Sequence, residues 1–270
     1  MSKGIVIIAN NTKDYDYVSL AECSARLAKK HLNLPATLLT NSDCASNEFE
    51  QIIRIDPNLN NFRTLKHGNH LQKYEWLNLN RTDVYELSPY DRTILIDADF
   101  LILTDALRPH IDANFDFAIA ESVHNPTQAI VVNETLTSNR PISLRWATIV
   151  IFNKSLQAKN IFCLTKHIIE NYASYAKIYD FDVSPIRNDY AFSLAVHILA
   201  GYGLGNLNLK NYSMTTVNFN DTIYDIRENK QFVIQYMKND IAYLQRLGRS
   251  DIHFLNKNNL LENLPKLELL

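Results

Sequence analysis

Glycine is scarce in this chain of 270 residues, with six in all. Glycine is the residue that lets backbone approach a phosphate closely, so a glycine-built phosphate loop and flexible Gly-rich linkers are both poorly supplied. The three cysteines, Cys23, Cys44 and Cys163, lie far apart and without C-x-x-C spacing. That argues against a disulfide framework or a cysteine-built structural zinc and favours a reducing compartment. No apolar run approaches the length of a membrane-spanning helix. The run Ile5 to Ala9 is too short for the apolar region of a signal peptide, so a cytoplasmic protein is expected. The net charge of -2 gives no bulk pull toward nucleic acid or anionic membrane. What is present is an ordinary globular composition, 46% hydrophobic and 21% charged.

Read in order, Gly4 to Ala9 is an apolar, β-rich run and the first strand. Tyr17, Leu20, Ala21, Ser24, Leu27, Ala28 and His31 recur at helical spacing, and Asp14 or Asp16 can cap that helix. Ala36 to Leu39 and Gln51 to Ile55 are further strands. This βαβ-β rhythm predicts a doubly wound, nucleotide-binding type of half. Residues 58 to 72 read as a polar loop that includes His67 and His70. Lys73 to Leu79 reads as a short helix that Arg81 to Leu87 continue. Leu101 to Leu103, Phe115 to Ala120 and Trp146 to Phe152 read as strands. Ser155 to Tyr175, Asn188 to Leu199 and Gln231 to Leu247 read as helices. Gly201-Tyr-Gly-Leu-Gly205 follows a helix rather than opening one, so a helix cap and turn explain it better than phosphate binding. One domain is expected, with residues 1–103 as the nucleotide half and 104–270 as the acceptor half.

The stretch Arg92-Thr-Ile-Leu-Ile-Asp97-Ala-Asp99-Phe-Leu-Ile-Leu103 stands out. Ile94, Leu95 and Ile96 are apolar on both faces, which predicts a covered, parallel strand. Asp97 and Asp99 fall where that strand ends, the place where open α/β sheets bind ligands. The bare D-x-D pattern is weak, since it occurs by chance roughly once in a chain of this length. Asp14-Tyr-Asp16 and Asp180-Phe-Asp182 are two more; helix capping accounts for the first and a solvated loop for the second. Only Asp97 and Asp99 follow a buried strand, and carboxylates there need a cation or a metal. Two chemistries use such a pair. Carboxylates can hold Mn²⁺ or Mg²⁺ against a diphosphate. Alternatively, the first Asp can form an aspartyl-phosphate, as in phosphatases of the haloacid dehalogenase type. That class needs a later acidic pair, and no Asp-Asp follows Asp99.

The segment from Tyr90 to Leu103 resembles the central segment of GT-A fold glycosyltransferases, particularly those of the glycogenin and lipopolysaccharide galactosyltransferase type. Ile5 to Asn11 is similar to that group's first strand and base-binding loop. The Phe115 to Ala120 and Trp146 to Asn153 stretches resemble its acceptor-half strands. Arg187-Asn-Asp189-Tyr is similar to its Asp-Gln helix start, though here no Gln follows the Asp. Asp251-Ile-His253-Phe-Leu-Asn-Lys257 resembles its late His-Phe segment, without the Gly and Pro-Trp usual there. The resemblance implies a Rossmann-like α/β fold, with a mostly parallel central sheet flanked by helices. It implies transfer of a sugar from a nucleoside-diphosphate sugar, with a UDP-sugar expected, and leans toward retention of configuration. Ala9, Asn10 and Asn11 would line the base, and Lys73 and Arg81 would lie near the diphosphate. Asp97, Asp99 and His253 would hold Mn²⁺ or Mg²⁺, with Asp97 also touching the nucleotide. Lys257 would contact the diphosphate, and Asp189 would be a carboxylate near the sugar or acceptor. The acceptor could be a glycan, a protein side chain or a hydroxylated DNA base. The non-enzyme rival is a sugar-nucleotide-binding relative that has lost turnover.

Overall fold

The structure is a computed structural model. It describes all residues except 57–60, 68–69, 128–129, 133–135, 137–141, 201–206, 228–230 and 269–270; at 63, 65–67, 70–72 and 130–132 it describes backbone alone. The chain forms β1 (Lys3–Ile8), α1 (Tyr17–Leu32), β2 (Ala36–Thr40) and β3 (Gln51–Arg54). A hairpin follows, β4 (Phe62–His67) and β5 (His70–Glu75), then a 3₁₀ turn at Leu79–Asp83 and α2 (Val84–Leu87). Next come β6 (Arg92–Asp97), β7 (Phe100–Leu101), α3 (Arg108–Asp112), β8 (Phe117–Ala120), β9 (Ser122–Asn125) and β10 (Ile130–Val132). β11 (Trp146–Asn153) leads into three helices, α4 (Leu156–Glu170), α5 (Tyr172–Tyr179) and α6 (Asn188–Ala200). The remainder is β12 (Ser213–Val217), β13 (Thr222–Ile226), β14 (Phe232–Lys238), β15 (Ile241–Arg246), β16 (Ile252–Phe254), α7 (Lys257–Glu262) and α8 (Leu264–Leu267).

The central sheet has the order β3-β2-β1-β6-β11-β8. Its first four strands are parallel, and β11 is antiparallel to both β6 and β8. The result is a mixed α/β fold with a mostly parallel central sheet flanked by helices. Strand alternation divides the core between the two faces. Ile5, Ile7, Ile94, Ile96, Ile149 and Ile151 pack on one side, with α1. Val6, Leu95, Val150 and Phe152 pack on the other, with α4 and α6. Each of these side chains is buried completely, a contribution of about 1.5–3 kcal/mol per large side chain. Asp16 caps α1 by accepting from the Ser19 amide at 3.1 Å. Asn33 ends it in the left-handed region, φ 51°, where a short polar side chain is tolerated.

A second sheet has the order β10-β9-β12-β16-β7. β7 is the direct continuation of the stretch that carries Asp97 and Asp99. Gly4 sits where β1 crosses Tyr90, and a Cβ built there would enter the Tyr90 ring. The ring is held by a 2.9 Å bond between its hydroxyl and Thr37. Gly4→Ala is therefore expected to lower unfolding free energy by about 2 kcal/mol through overpacking. Urea denaturation checks it; a change within about 0.5 kcal/mol, the range of an ordinary surface substitution, would show that the ring can move aside.

Three sequence expectations are corrected. Residues 58 to 72 are not simply a loop, because β4 and the first half of β5 fall there, with His67 opposite His70 in register. Lys73 lies in β5 rather than a helix. Gln231 to Leu247 is the β14–β15 hairpin, not a helix. Its turn residues Asn239 and Asp240 both adopt positive φ, 51° and 61°, the geometry of a tight two-residue hairpin. Phe232, Val233, Ile234 and Tyr236 favour strand on their own account. The glycine segment 201–205 lies outside the described residues.

Candidate active site

The strand order reverses between β1, which leads to β2, and β6 on its other side. Ligands of open α/β sheets bind at the carboxyl ends of strands beside such a switch point. Here those ends deliver Asn10 after β1 and Asp97-Ala-Asp99 after β6. β11 runs the other way, so its first residues meet the end of β6; Ile149 pairs with Ile96. Ala147 and Thr148 are thereby set beside Asp97. A cavity of about 310 Å³ opens at this place. Asn10, Arg81, Asp97, Asp99, His253 and Lys257 all line it.

Asp97 and Asp99 are each held by one cation. Arg81 Nη1 lies 2.6 Å from Asp97 Oδ1, and Lys257 Nζ lies 2.6 Å from Asp99 Oδ2. Arg81 also donates to the Ala147 carbonyl. Each carboxylate keeps its second oxygen, and both of these face one ring nitrogen. His253 Nε2 is 3.7 Å from Asp97 Oδ2 and 3.3 Å from Asp99 Oδ1. The three residues offer ligand atoms that all lie within 4.8 Å of one another. Atoms that share one ion at bonds of about 2.1 Å sit about 3 Å apart, so small movements would close this set on a divalent cation. One imidazole with two carboxylates is a mixed N/O set that Mn²⁺ accepts. The residues fit the metal that the resemblance implies.

The electrostatics follow from burial and charge. Burial alone would push the Asp99 carboxyl up. Lys257 and His253 outweigh it and hold Asp99 well below the usual carboxylate range. Burial alone would push the His253 imidazole down, but Asp99 and then Asp97 hold it above its ordinary value. Asp99 therefore stays ionised at neutral pH with Lys257 beside it, and Arg81 stands beside Asp97.

The remaining expected residues sort clearly. Asp189 lines the cavity at the start of α6. Its Oδ1 accepts from the Ala147 amide at 2.8 Å and its Oδ2 takes Arg187 at 3.0 Å. Asn10 lines the cavity, whereas Ala9 is buried behind it. Asn11 turns away: it accepts from the Val18 amide at 2.9 Å and exchanges hydrogen bonds with Asn41. Lys73 is exposed on the hairpin, its ammonium 4.0 Å from the Phe62 ring centroid. It is not among the residues that line the cavity.

Beside Asn10 the fold also brings in Asn78, Asn188, Tyr15, Tyr74 and Phe219, which no local pattern marked. Asn10 donates to the Leu77 carbonyl at 2.8 Å and Asn188 to the Asn78 carbonyl at 3.0 Å. A carbonyl can only accept, so these bonds fix which way each amide points. Asn10 Oδ1, Asn78 Oδ1 and Asn188 Oδ1 are buried and, among the described residues, have no hydrogen-bond partner. All three residues line the cavity. Tyr15 stacks on Tyr74 at 5.5 Å between centroids, and Tyr74 meets Phe219 edge-on at 6.3 Å. Those rings come from the β1–α1 loop, the hairpin and the stretch after β12, and they wall the same cavity.

No protein-family model and no curated protein sequence matches the chain. Its structure is similar to solved glycosyltransferase structures. One is the galactosyltransferase LgtC in complex with donor and acceptor sugar analogs: 14% identity over 71% of this chain and 69% of that one, TM-score 0.43. Another is the glycosyltransferase GlyE of Streptococcus pneumoniae TIGR4: 12% identity over 74% of this chain and 43% of that one, TM-score 0.38. A third is the bifunctional glycosyltransferase WbbM: 13% identity over 63% and 34%, TM-score 0.38. The chain thus spans less than half the length of GlyE and of WbbM. Among the described residues no helix is long and apolar enough to cross a membrane.

Proposed function

We propose that this protein is a metal-dependent glycosyltransferase of the GT-A type, moving a sugar from a nucleoside-diphosphate sugar to an acceptor hydroxyl. One observation carries the reading: Asp97, Asp99 and His253 converge beside Lys257 at the switch-point cavity. In such a transfer the bond from the sugar carbon to the diphosphate oxygen breaks, a bond to the acceptor oxygen forms, and the acceptor hydroxyl gives up its proton to the departing diphosphate or to water. Negative charge collects on the departing diphosphate, and the site has to meet it there. A divalent cation held by Asp97, Asp99 and His253 would supply Lewis-acid neutralisation of that charge. Lys257 adds a point charge at the same end. Arg81 fixes the Asp97 carboxylate. The acceptor amides of Asn10, Asn78 and Asn188 suit O–H and N–H donors of base, ribose or sugar and would repel phosphate, which orients the ligand along the cavity. Asp189, held through both oxygens, presents a fixed negative group to the sugar. A UDP-sugar is the donor we favour; the acceptor class is a glycan, a protein side chain or a hydroxylated DNA base.

The test is hydrolysis of a panel of nucleotide-sugars with Mn²⁺, Mg²⁺ or EDTA, wild type against Asp97→Ala/Asp99→Ala. Metal-dependent release of a nucleoside diphosphate by wild type alone supports the reading. Absence of donor binding under every metal removes it, and binding without turnover points to a relative that only binds.

The pH dependence has a defined sign. Without metal, the raised His253 contributes stability that is fully present below the unfolded imidazole value of about 6.5. That contribution is lost as pH rises through the folded value. A metal needs the neutral ring and so competes with this proton. The rise in melting temperature caused by Mn²⁺ should therefore be small near pH 6 and grow toward about pH 8.5. Thermal unfolding with and without Mn²⁺ measures it, and a shift that is flat with pH would count against His253 as a ligand.

A further inference from the structure

Asp251 is a buried carboxylate that the proposed chemistry does not use. Its exposure is 2%, so it is all but shut off from solvent. Four donors surround it instead. Oδ1 accepts from the Leu103 amide, the Thr104 amide and the Thr104 hydroxyl, each at 2.9 Å. Oδ2 accepts from the Tyr212 hydroxyl at 2.9 Å. A buried carboxylate is costly without full hydrogen bonding, and this one has it.

Its position gives it a use. β16 carries His253 and is three residues long. It pairs with β7 through two residue pairs only, Ile252 with Leu101 and His253 with Phe100. On the far side of that pairing, Phe254 N donates to the Asp99 carbonyl at 3.0 Å. On its other edge β16 runs parallel to β12 through three pairs, Thr215 with Ile252, Thr216 with His253 and Val217 with Phe254, which fixes its place in the sheet. Toward the Asp99 segment only the two β7 pairs and the Phe254 bond set the register, and a slip of one residue there would shift Asp99 relative to His253. Where β7 ends, the Asp251 carboxylate takes up the next amides of the same chain, Leu103 and Thr104. It does for the register what further ladder bonds would otherwise do.

We propose that Asp251 is a positioning residue that pins β16 against the Asp99 segment and so sets His253 within a metal's reach of both carboxylates. This rests on the metal-site reading above. Metal affinity should depend on Asp251 even though Asp251 touches no ligand atom. Asp251→Ala is expected to weaken Mn²⁺ binding 10- to 100-fold, the range seen for residues that orient metal ligands. Asp251→Asn keeps an oxygen for Leu103 and Thr104 and is expected to stay within about 3-fold of wild type. Tyr212→Phe removes one donor and is expected to weaken binding about 3-fold.

The experiment titrates each purified full-length variant with Mn²⁺ alone and follows the free ion by electron paramagnetic resonance. Circular dichroism reports the folded fraction. A residue that only stabilises the fold would lower the number of binding sites and leave their affinity alone. Weakened affinity at an unchanged number of sites, restored by Asp251→Asn, supports the inference. A folded Asp251→Ala with wild-type affinity overturns it while leaving the metal site standing. If Asp251→Ala does not fold, wild-type affinity in Tyr212→Phe overturns it equally. A wild type that takes up no Mn²⁺, and behaves as His253→Ala does, removes the metal site and this inference together.

Discussion

Asp99→Ala is expected to unfold about 3 kcal/mol more easily than wild type and to lose turnover by about 10³-fold. The stability loss comes from what is left behind. Lys257 Nζ lies 2.6 Å from Asp99 Oδ2, and the two side chains are 17% and 6% exposed. Removing one member of a buried pair strands the other charge, a larger effect than the pair's own net contribution. His253 loses its nearest carboxylate in the same change. The activity loss has a separate origin, since one of three converging ligands is gone. A double-mutant cycle separates the two: Lys257→Met in the Asp99→Ala background should recover part of the stability and none of the turnover. Urea denaturation and Mn²⁺-dependent nucleotide-sugar hydrolysis supply the measurements. An Asp99→Ala protein with wild-type stability would mean that Lys257 reaches water freely. Unchanged turnover would remove Asp99 from the site.

Arg81→Lys should lower kcat/KM by about 10²-fold, although charge is conserved. Arg81 is 4% exposed. One end of its fork holds Asp97 Oδ1 at 2.6 Å and the other end donates to the Ala147 carbonyl. Lysine has no fork and can serve only one of them. With Oδ1 held, Asp97 Oδ2 is the oxygen that faces His253. With Oδ1 free, the carboxylate can rotate, and the ligand set loses a fixed member. The loss should therefore fall mainly on the Mn²⁺ concentration needed for half-maximal rate. Steady-state rates over a Mn²⁺ titration decide it. A kcat/KM within about twofold of wild type would show that orientation of Asp97 does not matter.

How much was legible in sequence differs by element. β1, α1, β2, β6 and β11 lie where periodicity put them, because each carries its own apolar pattern to one or both faces of the sheet. The β4–β5 and β14–β15 hairpins are not legible in the sequence. β15 faces solvent at nearly every residue and so carries no apolar alternation, and the turn signal Asn239-Asp240 is weaker than Asn-Gly or Asp-Gly. Asn10 and Asn11 are neighbours with the same side chain, yet one lines the cavity and the other ties the loop after β1 to α1 and Asn41. Lys73 and Arg81 both precede the Asp pair; one is exposed over a Phe ring and the other buried against Asp97.

The sequence by itself determined the Asp pair. A buried strand that ends in two carboxylates needs a cation whatever surrounds it, and that is a local fact about residues 92 to 103. Which cations answer was decided only by the tertiary structure. Arg81 lies 16 residues away from Asp97, and His253 and Lys257 arrive from a strand and helix more than 150 residues further on. The same holds for Asn78, Asn188, Tyr74 and Phe219. Their convergence has no period in the chain, because it is produced by the reversal of strand order and by the antiparallel entry of β11, and neither leaves a local mark.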